Sequence, residues 1–290
     1  MNAVGIHEHP QLKLGLRPPT PAKPRLRLAD FLRAIPPHPT TLDYLPGITY
    51  GLYTNDKYGI CGPTYLANNR RLITAKLTGT MKAPTQADVD DLYRRSGNPR
   101  FDPTIPADDP RQDDNGVNMQ QMLEAAMSGG LGGVKPLGFA SVDVSNLDEL
   151  AAAISYVGGL GYGVMLQQAQ QAQTSRGFWD YSRSAQWGGH AILAGGYGPK
   201  GDALITWAKE IVATNAFLTH QLSEAWVVIW PEHLTDHGFM TGVDMQAFAA
   251  AYTAMTGKPF PAVIPPPPPP PPVKPKYTVT LSSDSPIRVG

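Results

Sequence analysis

Two residues carry the sequence's clearest chemistry: Cys61, the only cysteine among 290 residues, and His190, which opens the apolar run GHAILAGGY. Cys61 lies in NDKYGICGPTYLANNRRL, after a glycine-bearing turn and directly before a predicted helix start. Pro63 falls in that helix's first turn, where its missing N–H costs no intrahelical bond. A thiol at a helix N-terminus has unpaired backbone N–H groups and the helix dipole beside it, which favour thiolate over thiol. The same N–H groups can stabilise an oxyanion on an attacked carbonyl. Such a nucleophile needs a base, normally histidine. His7, His9 and His38 lie in a proline-rich stretch unsuited to fixed geometry, whereas His190 follows two glycines 129 residues after Cys61. The competing reading is structural: a free cysteine is usually a small buried hydrophobe, and a lone histidine at a strand start is usually a satisfied core group.

The elements that must position these residues read as helices first and strands second. A helix from about Gly62 places Leu66, Asn69, Ile73 and Leu77 near one face. A second starts at Thr85, with Asp88 three residues on as a capping box. A third, NMQQMLEAAMSGG, sets Met119, Met122, Leu123 and Ala126 toward a core, and Ser145 with Asp148 caps NLDELAAAISYVGG. Four apolar runs follow, YGVMLQ, GHAILAGGY, ALITWA and EAWVVIW, whose length and composition predict strands with antiparallel connections. That order predicts an α+β fold. GYGPKG at 196–201 matches a dinucleotide-binding fingerprint but starts no helix, so it reads as a hairpin turn. QQAQQAQ at 167–173 reads as a polar loop. Glu232, His233 and His237 have helical spacing but lack a third clear metal ligand.

Composition bounds the rest. Lys+Arg and Asp+Glu both number 24, so no net field draws the chain to nucleic acid or an anionic membrane. One cysteine leaves no internal disulfide, so the fold does not depend on an oxidising compartment. The first residues lack an apolar signal-peptide core, and no apolar run reaches the ~18 residues of a membrane span. We therefore expect synthesis in a cytoplasm with no signal peptide. Prolines divide the chain into a basic N-terminal arm at 1–46, a globular domain at 47–262, a polyproline linker at 263–276 and a tail at 277–290. RLRLADFLRAI in the arm can form one short amphipathic helix, placing Leu28, Phe31, Leu32 and Ile35 together. The eight prolines at 265–272 would act as a stiff spacer. YTVTL beyond them alternates like a strand, either to dock on another subunit or to remain a disordered tail.

Taken together, a cysteine at a helix N-terminus, a helical half and a Gly-His opening a strand resemble the papain-like cysteine peptidases, whose His follows the Cys by ~130–150 residues. The resemblance runs over roughly residues 50–232. Three segments, LYTNDKYGICGP, RSGNPRFDP and DDNGVNMQQMLEA, look like papain-like proteins encoded by bacteriophages of actinobacteria. It implies a papain-like α+β fold with an N-terminal helical half and an antiparallel sheet half. It also implies Cys61 as nucleophile, His190 as general base and Asn55, six residues before Cys61, in the oxyanion-hole place of a glutamine. The residue orienting the histidine would fall at Ile205 in ALITWA, which can accept no hydrogen bond, while Trp207 keeps the shielding aromatic. Asp180 and Asn215 are the candidates to replace it in space.

The function expected is a phage-encoded cysteine peptidase or amidase cleaving peptide bonds in proteins or cell-wall peptides, with no metal or organic cofactor implied. The alternative is a catalytically impaired papain-like fold serving as a structural or adhesive virion protein. On either reading the arm and tail would tie the chain to other virion subunits.

Overall fold

The computed structural model describes residues 12–20, 23–32, 35–235 and 243–264. The polyproline and the tail read as a docking strand lie outside these residues. In chain order the elements are β1 (Leu42–Asp43), α1 (Cys61–Thr78), α2 (Gln86–Arg95), α3 (Met119–Gly129), β2 (Gly138–Val142), α4 (Leu147–Val157), β3 (Leu160–Gln167) and α5 (Ala169–Ser175). They continue with β4 (Phe178–Trp179), β5 (Gln186–Gly198), β6 (Gly201–Thr206), β7 (Lys209–Thr214), α6 (Asn215–Gln221), β8 (Leu222–Ile229) and α7 (Met245–Thr256). The fold is α+β, as the order of helical and strand patterns predicts.

Most of the predicted elements form for the predicted reasons. α1 begins at Cys61 without a side-chain cap and stops at Gly79, whose φ of 69° is the left-handed conformation that favours glycine. Thr85 and Asp88 form the reciprocal capping box of α2. α4 differs in detail: its cap is Asn146, which accepts from Glu149 N, because Ser145 is already bonded to Asp143. QQAQQAQ is mostly the helix α5 rather than a loop. Gln170 drives this by turning inward and bonding Asp180 O and Gln173, so one polar side chain satisfies a buried corner. RLRLADFLRAI shortens to a single 3-10 turn over Leu28–Phe31, which still buries Leu28 and Phe31.

The strands form one sheet in the order β2-β8-β3-β5-β6-β7-β4, with β1 added to β5. Its pairings are antiparallel except β4 with β7. GYGPKG is the hairpin turn between β5 and β6. α1, α2 and α3 pack on one side, with Leu66, Leu72, Ile73, Met122 and Leu123 in a common core with Ala191 and Leu193 of β5. Each such fully buried side chain contributes about 1.5–3 kcal/mol. α4, α6 and α7 enclose a second core on the other side, with Ile192, Trp179 and Phe217. β5, the long central strand, therefore separates the two cores, and α1 lies across it.

The proline-rich N-terminal stretch is closely packed on this domain. Leu26 and Phe31 are buried, Ser141 N donates to Leu26 O, and Leu42–Asp43 pairs with Tyr197 and Gly196. Residues 12–18 take a separate path, over the end of α1 that holds Cys61.

Candidate active site

The packing of α1 against β5 sets Cys61 beside the His190 segment: Ala191 N, the amide directly after His190, donates to Cys61 Sγ at 3.4 Å. The loop leading into Cys61 is fixed from below. Asp114 accepts from Gly59 N at 2.8 Å and from Tyr93 OH at 2.7 Å, and the same hydroxyl accepts from Gly116 N. Tyr93 and Asp114 thus tie together two glycine strips, Gly59 before Cys61 and Gly116 before Val117, as facing rims of a cleft.

His190 is held on three sides. Its ring stacks on Trp207 at 4.1 Å and 14° and meets Trp179 edge-on. Its Nε2 bonds Thr206 Oγ1 at 2.9 Å. Its Nδ1 is buried and has no hydrogen-bond partner. Ile205, the residue expected behind the imidazole, is elsewhere. The register Leu193↔Ile205 puts Ile205 on the face of Leu193, opposite to that of His190, and the next residue, Thr206, faces the imidazole instead. Neither proposed substitute takes this role. Asp180 accepts from Thr214 Oγ1 and Tyr181 N, and Asn215 begins α6. Thr206 was identifiable in principle as the sole side-chain acceptor in ALITW, but only the strand register shows which way it points.

Trp207 and Ala208 turn β6 into β7 with φ of 43° and 58°, a conformation unfavourable for a bulky side chain. The stack on His190, a second stack on Trp187 and a bond from Trp207 Nε1 to Lys13 O hold it there. A similar left-handed pair, Tyr53 (φ 50°) and Thr54 (φ 56°), precedes Asn55. Tyr53 OH donates to Pro84 O and accepts from Arg71 Nε, fixing the strained turn. Asn55 is buried, with its Oδ1 unpartnered. Strained, over-determined backbone of this kind clusters at functional sites.

A strand of the chain's own N-terminus fills the cleft. Leu16 N donates to Gly189 O at 3.0 Å, Arg17 N to Val117 O at 2.8 Å, and Val117 N to Gly15 O at 2.7 Å. The fit depends on glycine. A Cβ on Gly15 would stand 1.9 Å from Gly59 O, one on Gly116 2.1 Å from Gly15 O, and one on Gly189 2.4 Å from Leu16 O. Beyond the cleft, Asn118 Nδ2 donates to Pro18 O, and Lys23 pairs with Glu124.

Cys61 and His190 are both 0 % exposed. Burial pushes the Cys61 thiol up to about 11, although N–H groups of Ala191 and Gly15 bond to the sulfur and pull the other way. Burial likewise pushes the His190 imidazole down to about 3. In this closed form the pair is thiol and neutral imidazole. The other histidine candidate is structural: His233 bonds Val157 O and the Trp230 backbone, while Glu232 pairs with Arg70. No cluster of three or more metal-ligating side chains occurs among the described residues.

The architecture has known counterparts. Xylellain, a cysteine protease from Xylella fastidiosa, superposes with a TM-score of 0.61 at 11% identity, covering 78% of this chain and 99% of its own. The Carica candamarcensis cysteine protease CMS1MS2, solved in complex with E-64, gives 0.50 at 16% identity, covering 67% and 99%. The fold is papain-like. No protein-family model and no curated protein matches the sequence. Along the chain, Cys61 meets the amide next to His190, and Trp207 and Thr206, rather than Ile205, hold the histidine ring.

Proposed function

We propose that this chain is a cysteine peptidase or amidase, with Cys61 as nucleophile, His190 as general base and Asn55 beside the oxyanion site, kept latent by residues 12–18. The observation that carries the reading is the division of labour on His190. Thr206 occupies Nε2, while Nδ1 is left without a partner on a residue whose neighbouring amide touches Cys61 Sγ.

With the arm displaced, the Cys61 proton passes to His190 Nδ1 and the thiolate attacks the carbonyl carbon of a peptide bond. The oxyanion formed is met by the backbone N–H groups at the start of α1 and by the Asn55 amide. The imidazolium returns the proton to the leaving amine as the C–N bond breaks, leaving a thioester. Water, deprotonated by His190, then attacks the thioester, releases the carboxylic acid and restores the thiol. Trp207 keeps bulk water off the imidazole face, and Thr206 holds the ring's plane. The substrates are peptide bonds of proteins or cell-wall peptides, and the phage-like segments around Cys61, Asn98 and Asn115 make a phage-encoded enzyme our reading of its setting.

The test is hydrolysis of unfolded casein and short peptides by a full-length variant whose cleft has been opened, Gly15→Ala. Hydrolysis that disappears in Gly15→Ala/Cys61→Ser supports the proposal. A Cys61 that alkylates rapidly while no amide or ester is cleaved overturns it.

A further inference from the structure

Apart from the cleft, the described residues form an apolar groove of about 840 Å³ where α3, the edge strand β2 and the chain after α7 meet. Leu26, Met127, Phe139, Tyr252, Met255 and Phe260 supply its apolar walls. Its rings stand across one another: Phe260 meets Phe248 at 6.1 Å and 87°, and Tyr252 at 5.6 Å and 86°. Gly138 of β2 admits them, since a Cβ there would lie 2.7 Å from the Phe248 ring. Aromatic-lined grooves of this kind take up proline rings. The polar rim is one-sided. Its carboxylate, Glu124, is already engaged by Lys23 and by Gln120 Nε2. The ammonium groups of Lys135 and Lys258 have no hydrogen-bond or ion-pair partner among the described residues. The charged groups left over are therefore donors. Polyproline is their complement, with no backbone N–H to satisfy, one carbonyl acceptor per residue, and an extended helix that is formed before binding.

We propose that this groove is a self-association surface, and that it receives the prolines at 265–272 of a second copy of this chain. The chain's own prolines are excluded by the way it leaves the groove. Pro261 is the last residue on the wall; the chain bends at Pro261 and Ala262, and Val263 beyond the bend is 92% exposed. Ile264 precedes a proline and is thereby restricted to extended backbone, and the prolines after it cannot turn. No residue is left at which the segment could reverse into the groove it has just passed. Groove and segment lie within a few residues of each other, so each copy presents both together. Exchange is then reciprocal and closes a two-fold pair. Eight prolines span roughly 25 Å as polyproline II, long enough to leave one copy and lie along the other.

Sedimentation equilibrium of the full chain tests this. Wild type should pass from monomer to dimer as its concentration rises. Two variants should each weaken that dimer about tenfold or more, the scale of a lost interface anchor. One carries glycine and serine in place of residues 265–272; the other is Met255→Glu. Met255 is 40% exposed, so the new charge enters the groove without entering a core. The decisive measurement mixes the two variants. One still has an intact groove and the other still has the prolines, so the mixture should associate more tightly than either alone. A mixture no tighter than its components overturns the proposal. A wild type that stays monomeric at every concentration overturns it too, and a synthetic octaproline peptide then separates the alternatives. Binding to wild type that Met255→Glu abolishes assigns the groove to another proline-rich protein. Binding only after residues 265–272 are replaced assigns it to the chain's own prolines.

Discussion

Gly15→Ala is the smallest change that should open the cleft. Gly15 has no left-handed φ to protect, so alanine's backbone preferences are not at issue. The obstacle is contact: the new Cβ would lie 1.9 Å from Gly59 O and 2.4 Å from Gly59 C. Gly59 cannot yield, because its own N–H is held by Asp114, whose carboxylate is braced by Tyr93. The arm must therefore retreat by about 1 Å or more to reach ordinary van der Waals separation. Three backbone bonds flank the contact, at 2.7, 2.8 and 3.0 Å, and a shift of that size takes all three outside hydrogen-bonding range.

Each bond contributes about 0.5–1.5 kcal/mol net, and overpacking of a tight contact costs about 1–3 kcal/mol. Both figures describe one displacement and are not added. An intermediate value of about 2–3 kcal/mol raises the population of the open cleft by roughly 30- to 150-fold. Because Cys61 is the sole thiol, alkylation by excess iodoacetamide at a fixed pH reads that population directly when reclosure outpaces labelling. Deletion of residues 1–20 supplies the rate of the uncovered thiol. The urea-unfolding free energy should fall by no more than this same amount, since the closed form loses it against the open and the unfolded chain alike, and of residues 12–18 only Leu16 is buried in a core. Labelling within about twofold of wild type, the usual error of such differences, would refute the claim that the arm shields the sulfur.

Two further outcomes follow from the same geometry. In the opened enzyme Thr206→Val should lower kcat by about tenfold or more, the scale of a mispositioned general base; Thr206→Ser should restore it and return the acid limb of the pH–rate profile, whereas Ile205→Asn should bring no gain because that side chain faces away from His190. Acid should loosen the arm: His190 is held at about 3 when covered and returns toward ~6.5 when open, so the open form binds a proton that the closed form refuses, closure is fully present above ~6.5, and by pH 5 it weakens about 30-fold, or ~2 kcal/mol. Hydrogen exchange at the Leu16 and Arg17 amides, corrected for intrinsic rates, measures this without involving the thiol, and a profile flat from pH 8 to 5 would contradict it.

Elements whose cause is local were legible in the sequence. Pro63 at a helix start, Thr85 with Asp88, and the β-rich runs at 162–167 and 189–197 encode their own geometry within a few residues. Features decided across the sheet were not. Thr206 rather than Ile205 meets His190 because the ladder pairs Leu193 with Ile205, a register no local signal specifies. Gln170 pulls QQAQQAQ into a helix through partners that lie in later segments. The arm is the instructive case. Leu12, Leu14 and Leu16 alternate like a strand, but the basic and proline-rich surroundings hide the pattern, and the surface that receives it is built from Gly59, Gly116, Gly188 and Gly189, scattered along the chain. Glycine rims carry no side-chain pattern, so a groove for backbone is hard to see until it is assembled.

That groove explains why a short tethered segment can close the site. An extended chain in a glycine-walled slot gains main-chain bonds provided a glycine stands where Gly15 does, and its other side chains contribute little to that fit. The arm is tethered to its own domain through the buried Leu26, Leu28 and Phe31, so its effective concentration at the cleft is on the order of millimolar. A segment with weak intrinsic affinity therefore wins against dilute peptides. The arm touches Cys61 through Gly15 N–H and lies against Gly188 and Gly189, the residues leading into His190. Closure makes each group neutral, and each neutral group in turn favours closure. On the peptidase proposal, a substrate that competes for the rims must displace the arm in the same step that brings its scissile bond to the sulfur.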